Sequence, residues 1–278
     1  MSLTMQTTIT LNNGVKIPQL GYGTALIDDD ESVTKQAILT ALEIGYRNID
    51  TAMIYNNETA VGKAVKESGI PRDRLFITSK LWTTDMRQDR QYEAFQETLD
   101  RLDMDYVDLY MIHWPVADKI IETWSVLEKI YREGRVRAIG VSNFNNHHIE
   151  KILERCDIAP AVNQCECHPK FASFEIRNYC RDHQIAFEAY YPLGQGTYTE
   201  DPVILDIAQA HGKTSAQVLL RWHLQNNTIC IPKSARKERM LENCNLFDFE
   251  LSGDDIARID ALDINERRCP ADPDHVDF

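Results

Sequence analysis

No apolar run in this sequence approaches the roughly 20 residues that a membrane-spanning helix needs. Residues 1–10 are polar, whereas a secretion signal places a basic stretch before an apolar one. These two absences argue against a membrane protein and against an exported one. The sequence therefore predicts a cytoplasmic protein.

Positive charge is also scarce, because 30 lysines and arginines stand against 43 aspartates and glutamates, for a net charge of -13. Proteins bind nucleic acid and anionic membranes through basic faces, so this balance predicts neither kind of partner. No long exposed apolar stripe indicates a subunit interface, and we expect a monomer.

Disulfide bonds are not indicated either. The seven cysteines are an odd number, and without an export signal they are interpreted as reduced thiols. Cys165, Cys167 and His168 are residue types that bind zinc, but no second Cys/His cluster completes a four-ligand site. We therefore expect no metal.

Linkers rich in glycine, proline or serine are absent, so residues 1–278 are predicted to form one domain. Short β-type runs instead alternate with amphipathic helical patterns, as is typical of a parallel sheet. Eight such strands close a (β/α)8 TIM barrel, the α/β fold that we predict. The predicted strands are residues 19–23, 48–50, 75–79, 107–112, 138–141, 162–166, 186–189 and 228–231.

Extra elements are expected at both ends of the barrel. Within residues 1–18, a β-hairpin pairs 8–11 with 15–17 through Asn12-Asn13-Gly14, since Asn and Gly tolerate positive φ. Ser32 is predicted to cap the first barrel helix and Gly45 to end it. An additional C-terminal helix and a tail, residues 265–278, follow the barrel, and the tail is expected over its mouth.

Four reactive side chains follow successive predicted strands, at the end of the barrel where catalytic groups sit. Asp50 ends the second strand and Tyr55 lies in the next loop, while Lys80 follows the third strand and His113 the fourth. Each alone is more often an ion-paired or packed residue. Together they indicate a catalytic group.

Several spaced motifs surround these residues: GYRNIDTA at 45–52, Asn57-Glu58, SKLW at 79–82, IHWP at 112–115, GRVRAIGVSNF at 134–144, Asn163-Gln164 and IPKS at 231–234. Through them the chain resembles the aldo-keto reductase family over nearly its whole length. The resemblance implies a reductase of small aldehydes or ketones with Tyr55 as the proton donor. It also implies that Lys80 and Asp50 adjust the pKa of Tyr55 and that His113 orients the carbonyl.

The chemistry agrees with those roles. Reducing a carbonyl builds negative charge on its oxygen, which must be protonated as it develops. A free tyrosine has a pKa of about 10, and the ammonium of Lys80 is expected to lower the pKa of Tyr55 toward the working range. Asp50 would keep Lys80 charged, and a neutral His113 can donate a hydrogen bond to the substrate oxygen.

A Rossmann nucleotide site is excluded, because neither Gly21-Tyr22-Gly23 nor Gly194-Gln195-Gly196 continues as G-x-G-x-x-G. The basic residues 233–239 suit a phosphate clamp, and a solvated loop is the alternative. By resemblance, Lys233, Ser234 and Arg239 hold the 2′-phosphate, which favours NADPH. The resemblance also implies that Ser142, Asn143 and Gln164 hold the nicotinamide carboxamide and that Tyr190 stacks on the ring. The other nucleotide contacts that it implies are Gly23, Thr24, Asp50, Leu193, Glu242 and Asn243.

The substrate pocket is expected next to these groups. Trp82 and Trp114 are interpreted as its apolar walls, with simple packing as the alternative. Ala25 stands where relatives often have a large aromatic residue, which predicts a wide entrance. With its short tail, the chain resembles bacterial members of the family that act on glyoxals and on 2,5-diketo-D-gluconate. A shorter tail buries less of a ligand, so we expect broad substrate specificity.

Two alternative functions are compatible with the same fold. One is an NADPH-binding sensor or interaction protein, which the intact catalytic set argues against. The other is a metal-dependent barrel hydrolase, which would need further histidines and carboxylates at the strand ends; the sequence does not supply them.

Overall fold

An antiparallel hairpin opens the fold in the computed structural model, which describes residues 3–278. Strands β1 (Thr8–Thr10) and β2 (Lys16–Pro18) pair with Ile9 opposite Ile17. Ile17 is fully buried and packs with Phe76 and other residues of the barrel strands, so the predicted hairpin covers one end of the barrel. Residues 1 and 2 of the predicted segment 1–18 lie outside the described residues.

Eight parallel strands follow, each hydrogen-bonded to the next in chain order. They are β3 (Tyr22–Gly23), β4 (Asn48–Asp50), β5 (Phe76–Leu81), β6 (Val107–Ile112), β7 (Val136–Ser142), β8 (Val162–Glu166), β9 (Ala186–Tyr190) and β10 (Ile229–Cys230). A parallel bridge between Leu20 and Cys230 joins the first and last of these strands. The predicted (β/α)8 barrel is confirmed.

Helices cover the outside of the barrel. In residues 3–278 they are α1 (Glu31–Ile44), α2 (Glu58–Ser68), α3 (Thr83–Arg87), α4 (Gln91–Leu102), α5 (Ile120–Arg132), α6 (Asn146–Arg155), α7 (Phe174–Asp182), α8 (Pro202–His211), α9 (Ser215–Gln225), α10 (Lys237–Cys244) and α11 (Gly253–Asp260). Short 3-10 turns span Met53–Tyr55, Arg72–Arg74 and Gly194–Gly196. No helix of this part of the chain combines the length and the apolar character needed to cross a membrane.

Three strands extend further at their C-terminal ends than predicted, because polar residues there belong to the strand. The strand predicted at 75–79 is Phe76–Leu81, so Lys80 lies within it and pairs in register with Met111. The strands predicted at 138–141 and 186–189 likewise extend to Ser142 and Tyr190. Side chains that point into the barrel near its mouth are polar, so an apolar run ends before the backbone ladder does.

The first helix also begins differently. Asp30, not Ser32, is its N-cap, because the Asp30 carboxylate accepts a hydrogen bond from the Ser32 backbone N–H at 2.8 Å. Gly45 ends the helix as predicted, with φ of 123° and its N–H bonded to Ala41 and Leu42. Helix α8, inserted between β9 and α9, was not predicted.

The tail, residues 265–278, has no regular secondary structure and is tied to the strand ends. Glu166, fully buried at the end of β8, accepts hydrogen bonds from the backbone N–H groups of Arg268 and Cys269. Asp274 accepts another from the side chain of Asn145 at the start of α6, at 2.9 Å. These contacts direct the tail toward the barrel mouth.

Candidate active site

A buried ion pair lies at the C-terminal ends of β4 and β5. The Lys80 Nζ donates to Asp50 Oδ1 at 2.6 Å and to the Thr51 carbonyl at 2.9 Å, and the Lys80 side chain is fully buried. Burial opposes the charged ammonium, but Asp50 and then Tyr55 outweigh it and raise the pKa of Lys80 above its usual value. Lys80 is therefore a fixed positive charge at physiological pH.

Tyr55 stands beside this pair on the 3-10 turn that follows β4, and its ring centroid is 5.1 Å from the Lys80 Nζ. Asn57 fixes the loop: its Oδ1 accepts from the Thr51 hydroxyl at 2.6 Å, and its Nδ2 donates to the Thr24 carbonyl at 2.9 Å. The side chain of Tyr55 is thus held over the ammonium.

The pKa of Tyr55 is shifted in the direction opposite to the expected one. Burial is the largest cause and raises this pKa above its usual value, while the charge of Lys80 opposes the rise. The expectation that Lys80 brings the pKa down therefore describes only the opposing effect. Because the pKa is raised overall, the Tyr55 phenol is protonated at neutral pH and can donate its proton.

His113 faces Tyr55 across the mouth. The two rings meet edge to face with centroids 5.7 Å apart, and Trp82 lies 5.1 Å from the same imidazole. Burial first, and then the charge of Lys80, lower the pKa of His113 well below its usual value, so the ring is neutral. The structure brings the four predicted catalytic side chains together.

Gln164 connects this group to the far side of the barrel. Its Nε2 donates to Asp50 Oδ2 at 2.8 Å and to Glu188 Oε2 at 2.9 Å. Carboxylates only accept hydrogen bonds, so both amide hydrogens are committed and the orientation of the amide is fixed. Its Oε1 accepts no hydrogen bond from residues 3–278, which suits the predicted contact with a carboxamide NH2.

Asn143, another predicted carboxamide contact, is already engaged. It has a left-handed backbone with φ of 63°, its Nδ2 donates to the His113 carbonyl at 3.0 Å, and its Oδ1 accepts from the Tyr190 hydroxyl at 2.7 Å. Its Nδ2 also lies 3.1 Å from the buried Ser142 hydroxyl. In this arrangement Asn143 positions Tyr190 and Ser142 beside the catalytic group.

The predicted phosphate clamp forms an exposed basic surface at the start of α10. Lys233 and Arg239 are exposed, and Lys233 reaches the Leu26 carbonyl at 3.1 Å. Ser234 is buried and its carbonyl accepts from the Tyr22 hydroxyl at 2.6 Å. Within residues 3–278, Arg239 forms no ion pair.

The remaining predicted nucleotide contacts flank this surface. The Gly23 N–H donates to the Pro232 carbonyl at 3.2 Å, and the Thr24 hydroxyl donates to the Asp50 carbonyl at 2.9 Å. Glu242 and the buried Asn243 lie in the last turn of α10, and Leu193 follows β9. The end of strand β3 and Thr24 thus connect the basic surface to Asp50.

The end of the tail covers the substrate side of the mouth. The Phe278 ring stacks on Trp82 at a centroid distance of 5.4 Å and meets the edge of Trp114 at 5.5 Å. The Phe278 carbonyl accepts from the Thr83 hydroxyl at 2.6 Å. Ala25, whose small side chain predicts a wide entrance, is half-buried.

The tryptophans expected as pocket walls therefore contact the tail. Sequence reasoning did not single out Phe278, Glu166 or Glu188, because their roles depend on how distant segments meet. An aromatic residue in a tail expected over an apolar mouth was the one available signal.

The cysteines expected to be reduced are free thiols in the structure. Burial raises the pKa of the Cys167 thiol to about 12. His147, His148 and Asp274 do converge, with potential ligand atoms within 4.8 Å. The Nδ1 of His148 accepts the Asn145 N–H at 3.2 Å, so the neutral ring has its proton on Nε2, facing Asp274.

Comparison with known proteins decides the family. The profile of the Aldo/keto reductase family matches residues 19–264, which include the whole barrel from β3 to α11. The chain belongs to the aldo-keto reductase family. The resemblance carried by the sequence motifs is therefore confirmed.

Relatives of this aldo-keto reductase match it over nearly the whole of both chains. Glyoxal reductase of Bacillus subtilis (strain 168) is 46% identical over 278 residues, covering 100% of both chains. Morphine 6-dehydrogenase of Pseudomonas putida is 44% identical, covering 97% of this chain and 95% of the other. A solved aldo-keto reductase from a Medee basin deep-sea metagenome library is 39% identical, covers 97% of this chain and 100% of its own, and superposes with a TM-score of 0.94.

Proposed function

We propose that this aldo-keto reductase uses NADPH to reduce small aldehydes and ketones to alcohols, with Tyr55 as the general acid. The observation that carries the proposal is the convergence of Asp50, Tyr55, Lys80 and His113 at the C-terminal mouth of the barrel. Similarity to a glyoxal reductase supports a small carbonyl substrate such as methylglyoxal, with 2,5-diketo-D-gluconate as a second candidate.

Each active-site residue has a separate role in the proposed reaction. When bound, NADPH supplies a hydride to the carbonyl carbon. Tyr55 gives its phenolic proton to the carbonyl oxygen as negative charge develops there, and the Lys80 ammonium stabilises the phenolate that remains. Neutral His113 has one N–H, which orients the carbonyl by a hydrogen bond. The Trp82, Trp114 and Phe278 rings exclude water from the substrate.

The decisive assay measures NADPH oxidation with a panel of aldehydes and ketones. Turnover that depends on the carbonyl supports the proposed reductase. Tight NADPH binding without turnover of any member would instead favour the sensor alternative.

The phosphate clamp predicts a cofactor preference. Arg239→Met is expected to lower kcat/KM for NADPH about tenfold to a hundredfold, since a charge-assisted bond to phosphate is lost, and to leave the value for NADH unchanged. Lys233→Met should act in the same direction. Lys16→Met is the control, because Lys16 is exposed on the N-terminal hairpin, outside the basic run 233–239. Equal losses with NADPH and NADH would contradict the clamp.

The tail predicts a size limit on the substrate. Phe278→Ala removes the ring that fills the space between Trp82 and Trp114, so kcat/KM for a bulky aromatic ketone should rise several-fold relative to methylglyoxal. Ile264→Ala serves as control, because Ile264 is 63% exposed elsewhere on the C-terminal segment. An unchanged ratio for Phe278→Ala would show that the ring does not limit the pocket.

We further propose that residues 1–278 act as a single domain and as a cytoplasmic monomer without a nucleic-acid or membrane partner. The net charge of -13 supports the lack of polyanionic partners. Light scattering behind size exclusion should give a mass near 32.0 kDa, and twice that mass would refute the monomer.

A further inference from the structure

Glu188 is a buried carboxylate that the proposed mechanism does not use. It lies on β9 and is fully buried inside the barrel, between Gln164 of β8 and Ile229 of β10 in the strand register. Its Oε2 accepts from the Gln164 Nε2 at 2.9 Å, and its Oε1 has no hydrogen-bond partner among residues 3–278. A buried carboxylate costs free energy unless it is paired, so its place here requires an explanation.

The same Gln164 amide bonds to Asp50, the partner of Lys80. One amide group therefore bridges two carboxylates, from strands β4 and β9, at 2.8 and 2.9 Å. If the second acceptor were missing, one amide hydrogen would be left unpaired and the bond to Asp50 alone would hold the amide. Glu188 supplies the second bond that secures its orientation.

We propose that Glu188 is a positioning residue of this active site, which orients the Gln164 amide toward the nicotinamide carboxamide and adds a second acid to the pocket of Lys80. This inference rests on the proposed use of NADPH. Glu188 acts through Gln164 and Lys80 and touches neither the substrate nor the reacting atoms in the arrangement described above.

Several groups face Glu188 and set its ionisation. Burial and then Asp50 raise its pKa to about 7, while the hydrogen bond from Gln164 and the charge of Lys80 oppose the rise. The thiol of Cys230 on β10 also faces it, and burial keeps that thiol protonated by raising its pKa. Glu188 is therefore neutral below about pH 7 and negative above it.

Ionisation of Glu188 opposes the field of Lys80. Above pH 7 two carboxylates share one ammonium, so less positive charge is left to stabilise a phenolate at Tyr55. The kcat of the unaltered enzyme at saturating NADPH should therefore fall several-fold as pH rises through 7. Below that pH the neutral carboxyl leaves the ammonium opposed by Asp50 alone.

Two substitutions separate orientation from ionisation. Glu188→Gln preserves shape and an acceptor for Gln164 but cannot ionise, so NADPH affinity should stay within about threefold and the fall in kcat near pH 7 should disappear. Glu188→Met fills the same space without an acceptor, and the NADPH dissociation constant should rise about tenfold, as expected for one lost hydrogen bond. The probes are NADPH, followed by quenching of tryptophan fluorescence, and methylglyoxal turnover from pH 5.5 to 9.

The outcomes distinguish this inference from the proposed function. An unaltered enzyme that neither binds NADPH nor reduces carbonyls would overturn both. Normal wild-type activity together with a Glu188→Gln pH profile identical to the wild type, or unchanged NADPH affinity in a folded Glu188→Met, would overturn the role of Glu188 alone. Should Glu188→Met fail to fold, the pH profile of the isosteric Glu188→Gln remains the test.

Discussion

Replacing Tyr55 by Phe is expected to reduce kcat about a thousandfold and to leave the NADPH dissociation constant nearly unchanged. The substitution removes one hydroxyl and keeps the ring that lies 5.1 Å from the Lys80 ammonium. The carbonyl oxygen then develops its negative charge without an adjacent proton donor, while the groups proposed to hold the nucleotide are unaltered.

Single-turnover measurement of NADPH oxidation with methylglyoxal checks this expectation. Tyr191→Phe is the matched control, because Tyr191 is a neighbouring phenol with no assigned role, and its ring lies 5.1 Å from that of Tyr190. Full activity in Tyr55→Phe would refute the assignment of the general acid.

The second large effect concerns the buried ion pair. Lys80→Met should lower kcat at least a hundredfold, and it should lower the free energy of unfolding by about 3–5 kcal/mol, as when one partner of a buried pair is removed. Asp50 would then be an almost fully buried charge with Gln164 as its remaining side-chain partner. Urea unfolding measures the stability and NADPH oxidation the activity.

A double variant distinguishes the two roles of Lys80. Asp50→Asn combined with Lys80→Met removes both charges, so most of the lost stability should return while the activity does not. If activity recovered together with stability, the ammonium would have only a structural role.

The sequence was sufficient for the barrel and for the group at its mouth. Asp50, Tyr55, Lys80 and His113 lie at or just after the ends of three successive strands, and the fold itself places such positions at one end. The motifs around them carried the family. The strand that contains Lys80 was shortened in prediction because an inward-facing lysine interrupts the apolar run.

What sequence reasoning missed depends on contacts between distant segments. Glu188 is an ordinary strand residue until Gln164 and Asp50 converge on it, and Phe278 gains its role only where the tail reaches Trp82. The pKa of Tyr55 depends on the balance between burial and the Lys80 charge. Motifs name the interacting groups, whereas the extent of burial is a property of the folded chain.

Glu166 holds the tail through backbone N–H groups, which every residue except proline possesses. The two bonds to Glu166 thus do not depend on which side chains stand at 268 and 269, proline apart. Side chains at those two positions can therefore change while the anchor of the tail stays the same.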